Sequence, residues 1–599
     1  MTSGSAYAGW IHGAFVEEGM IDMGRWSCET DTEITDLIVD KSVLLRCTLL
    51  RHPKTAFRQY YRSKHNSELI SHYLVHRAID DAYISVDRPQ SSTLHISSYS
   101  DLQKKYKQSG YTHPLRILNR FDLLRQWLRM CDTEHACLGD EREVWPKRLI
   151  FVGKEHSNQL QLKLSADIEH PFDYISLSHC WGTPTPEEKE RFCTTSANYD
   201  ERLRGFGYDS LPKVFQDAIT VTRELNKQYL WIDALCIIQG DDNDWKEEGT
   251  RMEEVYSSAY CTIASSSASG WNDGFLSRTQ DFSQSQGVSS DQKIIDDFRE
   301  LVDQGQLHTR AWVLQERALS RRTIYFTAQQ TYWECAHGVR CENFSKIRCP
   351  TTRAYLLDPQ FPTRLLNSGY RTTASFVQEL ITDYSRRDLT HPEKDKVVAF
   401  SSIAERIRRA LVTEVRYGVF HCFLPRLLLW KRAGMENDRI SYDDDRVPSW
   451  SWMLFNGKID FLTELDLKIP RNQSLSFDNT ERGINIEVRQ FEDCYTRERD
   501  GEHIIFTNTK KVEVTKKVEV MKEVEVGILY FDTGSAAEVE SRNCVVIAMS
   551  QDDDKDDPNK EYYILAVQRT SGEEEYERLG VGRVRAGYVS KESTSGKLL

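Results

Sequence analysis

Long apolar runs are missing from this 599-residue sequence, and none approaches the ~18 apolar residues of a membrane-spanning helix. The first twenty residues also lack the basic-then-apolar layout of a secretory signal peptide. Both absences argue against a membrane or secreted protein and favour a cytoplasmic one. In that reducing compartment, most of the 14 cysteines are expected to be free thiols.

An excess of basic residues is missing as well, because 78 Lys and Arg stand against 91 Asp and Glu, a formal net charge of −13. This balance argues against a nucleic-acid binder with a broad basic surface. The sequence contains no Gly-rich phosphate-binding loop and no zinc-hydrolase signature. We therefore expect no nucleic-acid partner and no resident cofactor.

Three short blocks are unusually rich in Trp, Cys, Gln and carboxylates. They are YISLSHCWG at residues 174–182, LWIDALCIIQGDDNDWKEEGTRMEEVYSSAYCTIAS at residues 230–265, and TRAWVLQERALSRRTIYF at residues 309–326. These side chains are rare or costly to bury, and core packing seldom needs so many of them together. The blocks therefore indicate a functional surface.

Strand-like and helix-like patterns alternate through these blocks. Apolar runs predict short strands at residues 174–178, 229–232 and 260–264. Helical patterns separate them, one over residues 210–226 with Ser210 as its expected N-cap and one from Asp244 onward. The β-α-β-α-β order predicts an α/β fold with a parallel sheet and right-handed crossovers.

Ligands of open parallel sheets bind at the carboxyl ends of the strands, where Asp233 ends the second strand. We expect one crest there, defined by Asp233 and by Ser178, His179, Cys180, Trp181, Gly182, Cys236, Gln239, Arg310, Trp312, Gln315 and Glu316. Each residue alone is more consistent with a structural role, whereas the group favours ligand binding. A thiol-hydrolase pair of His179 and Cys180 is disfavoured, because neighbouring strand residues point to opposite sides.

A separate cysteine and histidine pattern precedes the blocks. Cys131, His135 and Cys137 follow a helical stretch with the spacing C-x3-H-x-C. These side chains could supply three zinc ligands, but no second pair is obvious within reach. Buried structural residues are the favoured interpretation, so no metal site is expected.

Changes of pattern along the chain predict four regions. They are a mixed, partly helical region at 1–145, the α/β domain at 146–340, a helical segment at 341–440 and a β-rich region at 441–599. The last contains the tandem units KKVEVT, KKVEVM and KEVEVG at residues 510–527. Their even, six-residue period favours a lengthened strand or hairpin over a solenoid.

At the three blocks the sequence resembles the fungal heterokaryon incompatibility (HET) domain. The motifs LSHCWG, WIDALCIIQ with DW and MEEVY, and RAWVLQE occur in the family's order. His179 stands where the family more often has Tyr, and Gly240 where an Asp commonly follows the Gln. The resemblance implies non-self recognition and programmed cell death when genetically unlike hyphae fuse.

The HET fold is distantly similar to TIR domains, some of which cleave NAD. That analogy implies Glu316 and Asp233 as catalytic carboxylates and Trp181 as an aromatic wall for nicotinamide. Three interpretations stay open: a signalling or effector module acting through self-association or protein partners, an NAD-cleaving glycohydrolase, and a degenerate paralogue without death activity. NAD would be a substrate here, not a cofactor.

Overall fold

The fold is taken from a computed structural model. It describes residues 83–84, 120–135, 137, 144–154, 157–277, 291–342, 346–347, 367, 369–434, 439–442, 447–462, 468–469, 475–499, 502–513, 518–533, 543–550, 560–572 and 574–599. Most of the N-terminal region predicted at 1–145 lies outside these residues. The described chain forms two compact units, one before residue 365 and one after it.

The unit before residue 365 is built on an 11-stranded sheet. In chain order its strands are β1 (Tyr83–Ile84), β2 (Arg148–Phe151), β3 (Gln159–Leu164), β4 (Tyr174–Ser178), β5 (Phe206–Gly207), β6 (Tyr229–Trp231), β7 (Cys261–Ala264), β8 (Arg322–Phe326), β9 (Thr331–Cys335), β10 (Gly338–Cys341) and β11 (Lys346–Ile347). Their order across the sheet is β1-β11-β10-β9-β8-β7-β4-β6-β2-β3-β5.

The four central strands β6, β4, β7 and β8 are parallel to one another. Every residue of β4, β7 and β8 is buried, as expected for strands covered on both faces. The predicted β-α-β-α-β unit is therefore confirmed at the centre of the sheet. The sheet as a whole is mixed and not parallel, because β2 pairs antiparallel with β6 and β9 antiparallel with β8.

The helices of this unit connect and flank the strands. In chain order they are α1 (Arg120–Met130), α2 (Pro186–Phe192), α3 (Tyr199–Arg204), α4 (Lys213–Glu224), α5 (Asp233–Cys236), α6 (Asp242–Thr250), α7 (Met252–Ser258), α8 (Asp291–Phe298) and α9 (Ala311–Leu319). Helices α2 to α4 lie between β4 and β6, α5 to α7 between β6 and β7, and α8 and α9 between β7 and β8.

Two helix starts differ from the sequence prediction. The N-cap of α4 is Pro212 and not Ser210, whose hydroxyl instead donates to the carbonyl of Gly207 at 2.6 Å. Helix α6 begins before Asp244, because the carboxylate of Asp241 accepts two backbone N–H groups of the first turn. The carboxylate of Asp244 is thereby free for another partner.

The unit after residue 365 combines helices and a second sheet. Its helices are α10 (Tyr370–Ser385), α11 (Pro392–Leu411) and α12 (Leu424–Leu427). Its strands are β12 (Val415–Arg416), β13 (Val419–Phe420), β14 (Trp430–Arg432), β15 (Ile459–Phe461), β16 (Ser476–Phe477), β17 (Ile484–Gln490), β18 (Cys494–Arg499), β19 (Glu502–Glu513), β20 (Val518–Phe531), β21 (Asn543–Met549), β22 (Glu561–Arg569), β23 (Glu575–Arg585) and β24 (Thr594–Leu598).

Nine of these strands form one sheet, which confirms the β-rich C-terminal region. The tandem repeat lies in its two longest strands, β19 and β20, which pair antiparallel from His503↔Leu529 to Glu513↔Val518. Residues 514–517 of the repeat lie outside the described residues. Among the helices that the structure describes, none is both long enough and apolar enough to cross a membrane.

Candidate functional site

Parts of all three sequence blocks meet beside the carboxyl ends of the central strands. The loop after β4 is tied to the residue before α9, because the Arg310 guanidinium donates to the backbone carbonyl of His179. The carbonyl of Ser178 in turn accepts the backbone N–H of Ser265, which follows β7, at 3.0 Å. These contacts bring residues of all three blocks to the predicted crest.

Glu316 on α9 is the acidic group of this crest, and its side chain is only 6 % exposed. Burial raises its pKa to about 7, aided by the charge of Asp233 and opposed by Arg310 and by the hydroxyls of Ser178 and Tyr256. Among the described residues, its Oε2 has no hydrogen-bond partner. A carboxyl group with this pKa and a free oxygen can accept or release a proton near neutral pH.

Tyr256 belongs to the same cluster, although it was not among the predicted site residues. It is buried on α7, and its pKa is raised well above the ordinary value by burial and then by the charge of Glu316. Its hydroxyl also lies 3.4 Å from the carbonyl oxygen of Leu177 in β4. The sequence signal for this residue is the MEEVY motif, in which Tyr256 also fits an ordinary apolar helix face.

Asp233 lies at the edge of the crest, with its side chain 27 % exposed. Its Oδ2 accepts the indole N–H of Trp181 at 2.9 Å, and its Oδ1 accepts the backbone N–H of Ala234 at 2.6 Å. The Nδ1 atom of His179 is 3.8 Å from Oδ1. The structure therefore brings a partly exposed carboxylate and an aromatic face together.

His179 and Cys180 lie against different parts of the core. The His179 ring meets Phe215 edge-on at 5.3 Å, whereas Cys180 packs in the cluster that contains Ala264 and Tyr325. Burial lowers the pKa of His179 to about 4 and raises the pKa of the Cys180 thiol. A neutral imidazole and a protonated thiol on opposite sides do not form a base–nucleophile pair.

The structure does not bring Cys236 to the crest. Its side chain is completely buried in the main hydrophobic cluster, and burial raises its pKa to about 12. Cys236 is the last residue of the short helix α5, which begins at Asp233, and its side chain packs into the core. Sequence position at a strand end was therefore not enough to make this cysteine a site residue.

Other predicted crest residues support the loops around the site. The Gln239 amide donates to the carbonyl of Asp233 at 3.3 Å, and Gln315 is buried on α9. The Trp312 ring packs edge-on against Trp245 at 6.5 Å. At Gly182 the backbone has φ +70°, and an added Cβ would lie 3.0 Å from a neighbouring backbone Cα, so glycine is required there.

Several charged side chains of the three blocks form buried ion pairs. Asp244 of the DW motif binds the Arg148 guanidinium and accepts the backbone N–H of Ile238 at 2.8 Å. Arg317, which follows Glu316, makes a bidentate pair with Glu334 of β9 at 2.8 and 3.0 Å. These side chains hold the framework together and are not available to a ligand.

Residues 174–316 match the family model described as heterokaryon incompatibility protein (HET). The match begins with the first residue of β4 and ends at Glu316, so it contains the three motifs and the central crest residues. Neither the curated proteins nor the solved structures include one that matches this chain.

Proposed function

The chain carries a HET domain over residues 174–316, and on that premise we propose that it acts in heterokaryon incompatibility as the effector of a cell-death response to non-self. The motifs of the family converge on one crest around Glu316, which supports a domain with an intact functional surface. Its signal would pass through self-association or a protein partner.

Expression of the full chain in a filamentous fungus tests this role. We expect induced expression to arrest growth or kill the hyphae, and Trp181→Ala, which removes the aromatic partner of Asp233, to relieve the toxicity. Tyr495→Ala, which removes a half-buried aromatic side chain in the other unit, is the control and should stay toxic. Normal growth at good expression of the wild-type chain would instead favour a degenerate paralogue.

A second proposal concerns chemistry at the same crest, namely hydrolysis of the N-glycosidic bond of NAD, as in some TIR domains. The observation that favours it is Glu316, a buried carboxyl with a pKa of about 7 and an uncommitted Oε2. Asp233 and Trp181 lie together at the partly exposed edge, where an aromatic ring could cover the nicotinamide. Perturbed acids beside aromatic faces are typical of catalytic sites.

The proposed reaction breaks the bond between ribose C1′ and the nicotinamide nitrogen. Nicotinamide keeps the bonding electron pair and leaves as a neutral molecule, because its ring nitrogen was cationic in NAD. The ionised Glu316 carboxylate stabilises the positive charge left on the ribose. Water then adds to C1′ and loses its proton, giving ADP-ribose.

Nicotinamide release by the purified full chain tests this chemistry. We expect turnover that Glu316→Gln lowers by roughly a hundredfold or more, because the charge opposite the ribose is lost. Glu247→Gln is the matched control, since Glu247 is an exposed glutamate that pairs with Lys147 outside the crest. A folded wild-type chain that kills hyphae but releases no nicotinamide would exclude the glycohydrolase and support a purely signalling module.

A further inference from the structure

A group of potential metal ligands lies apart from the crest, at the end of α1. Cys131, His135 and Cys137 follow that helix, and Cys335 is the last residue of β9. One ligand atom from each of the four residues lies within 4.8 Å of the other three. The sequence pattern C-x3-H-x-C thus acquires the fourth residue that it lacked.

The spacing of these atoms fits one tetrahedral ion. Zinc binds cysteine sulfur at about 2.3 Å and histidine nitrogen at about 2.0 Å, which separates the ligand atoms of a tetrahedron by roughly 3.5–3.8 Å. The Sγ atom of Cys335 is 3.5 Å from the Nδ1 atom of His135. Small side-chain shifts would therefore complete the coordination without moving the backbone.

Ordinary core packing does not account for this cluster. Cys131, Cys137 and Cys335 are at most 2 % exposed, and their three sulfur atoms lie within 4.8 Å of one another. A disulfide would join only two of them and leave a third thiol beside His135. Three thiolates and one imidazole are instead the ligand set that selects zinc.

The surroundings are also those of a metal centre. The ring of His337 stacks on His135 with centroids 3.9 Å apart, which fixes the orientation of the imidazole. The backbone N–H of His337 points to Cys335 Sγ at 3.5 Å, a contact that stabilises a thiolate. Asp132, between the ligands, is held by Arg322 of β8 at 2.6 Å.

We propose that Cys131, His135, Cys137 and Cys335 bind one structural zinc ion, with His337 as a positioning residue outside the coordination shell. Four protein ligands leave no open position, so the ion would not act on a substrate. It would join the end of α1 to the β9–β10 hairpin, although His135 and Cys335 are 200 residues apart in the chain. Such a link removes much conformational freedom from the unfolded state.

The metal content of the purified full chain tests the proposal. The protein is produced in zinc-supplemented medium, kept reduced and freed of any affinity tag, and its metals are measured by plasma mass spectrometry. We expect about one zinc per chain. Replacement by cobalt should give the intense visible absorption of a tetrahedral site and a sulfur-to-cobalt charge-transfer band.

Three variants distinguish the loss of a metal ligand from the general effect of replacing a buried side chain. Cys335→Ser and His135→Ala should lower the zinc content to about a tenth or less. Cys341→Ser is the matched control, because Cys341 is equally buried on the adjacent β10 but outside the cluster, and it should retain the metal. If the ligand variants fail to fold, the zinc content and the cobalt spectrum of the wild-type chain still show whether a tetrahedral metal site is present.

Two results would overturn the proposal. One is a folded, reduced wild-type chain that contains almost no zinc. The other is full zinc content in a folded Cys335→Ser variant. Because metal content is measured without reference to nicotinamide release or toxicity, this outcome is independent of the proposed function.

Discussion

At the residue scale, Glu316 is a buried acid whose ionisation opposes the stability of the fold. Its pKa is raised from 4.5 in the unfolded chain to about 7 in the fold, chiefly by burial. The folded state therefore holds the proton more tightly than the unfolded state. The stability gained by keeping Glu316 protonated in the fold is complete below about pH 4.5 and is lost as the pH rises through about 7. Its size is roughly 3 kcal/mol.

Substitution of Glu316 by Gln should therefore stabilise the protein at alkaline pH. The amide cannot ionise, so we expect the free energy of unfolding at pH 8 to rise by up to roughly 3 kcal/mol, with little change at pH 4.5. Urea denaturation at the two pH values measures the difference. The exposed Glu247→Gln variant should change neither value, and a loss of stability at pH 8 in Glu316→Gln would contradict a raised pKa.

The same ionisation predicts the pH profile of NAD cleavage. If the charged Glu316 acts on the ribose, kcat/KM should rise with pH through about 7 and level off above it. Asp233→Asn removes one of the charges that raise this pKa, so the midpoint should move to lower pH. An unchanged midpoint in a variant that still turns over NAD would show that another group controls the profile.

At the element scale, hydrophobic periodicity predicted the order of strands and helices. It did not predict the helix N-caps or the antiparallel strands beside the parallel ones. The helix expected at residues 210–226 exists, but its first turn begins later, because Ser210 bonds to Gly207. The antiparallel partners β2 and β9 were not predicted as such, since pairing depends on which strands meet in space. Local patterns do not carry that information.

A buried ion pair joins helix α9 to strand β9, and its loss can be predicted. Arg317 pairs with Glu334 and with Asp303 at 2.7 Å, and all three side chains are largely buried. Arg317→Met would remove the buried cation that Glu334 and Asp303 share and should cost roughly 3–5 kcal/mol of unfolding free energy.

Urea denaturation measures this cost against a surface pair. Arg408→Met breaks the exposed pair with Glu405 and should cost at most about 1 kcal/mol. The double variant Arg317→Met with Glu334→Gln should recover part of the loss, because one buried charge is then removed as well. A cost for Arg317→Met as small as that of the surface control would contradict a framework role.

At the scale of the whole molecule, the two units have separate hydrophobic cores. Trp127, Trp231 and Trp333 are buried in the unit before residue 365, and Val526 and Ile564 belong to a core in the other. A core of its own is what allows a unit to unfold cooperatively.

Calorimetry of the full chain should accordingly resolve two transitions. In the unit after residue 365, Arg578 lies over the Trp430 ring at 3.4 Å and binds Asp532 at 2.7 Å, so Arg578→Met should lower the Tm of one transition. Arg317→Met should lower the other, as should removal of zinc by a strong chelator. A single transition that shifts equally in both variants would contradict two independent units.

The sequence by itself determined the element order, the three motif blocks and the family that they resemble, because hydrophobic periodicity and short motifs are local properties. Tertiary structure alone decided which residues of those motifs share a site. It placed Tyr256 beside Glu316, turned Cys236 into the core and brought Cys335 to His135 across 200 residues. These outcomes depend on the order in which the strands pack, and contacts between distant residues arise only from that packing.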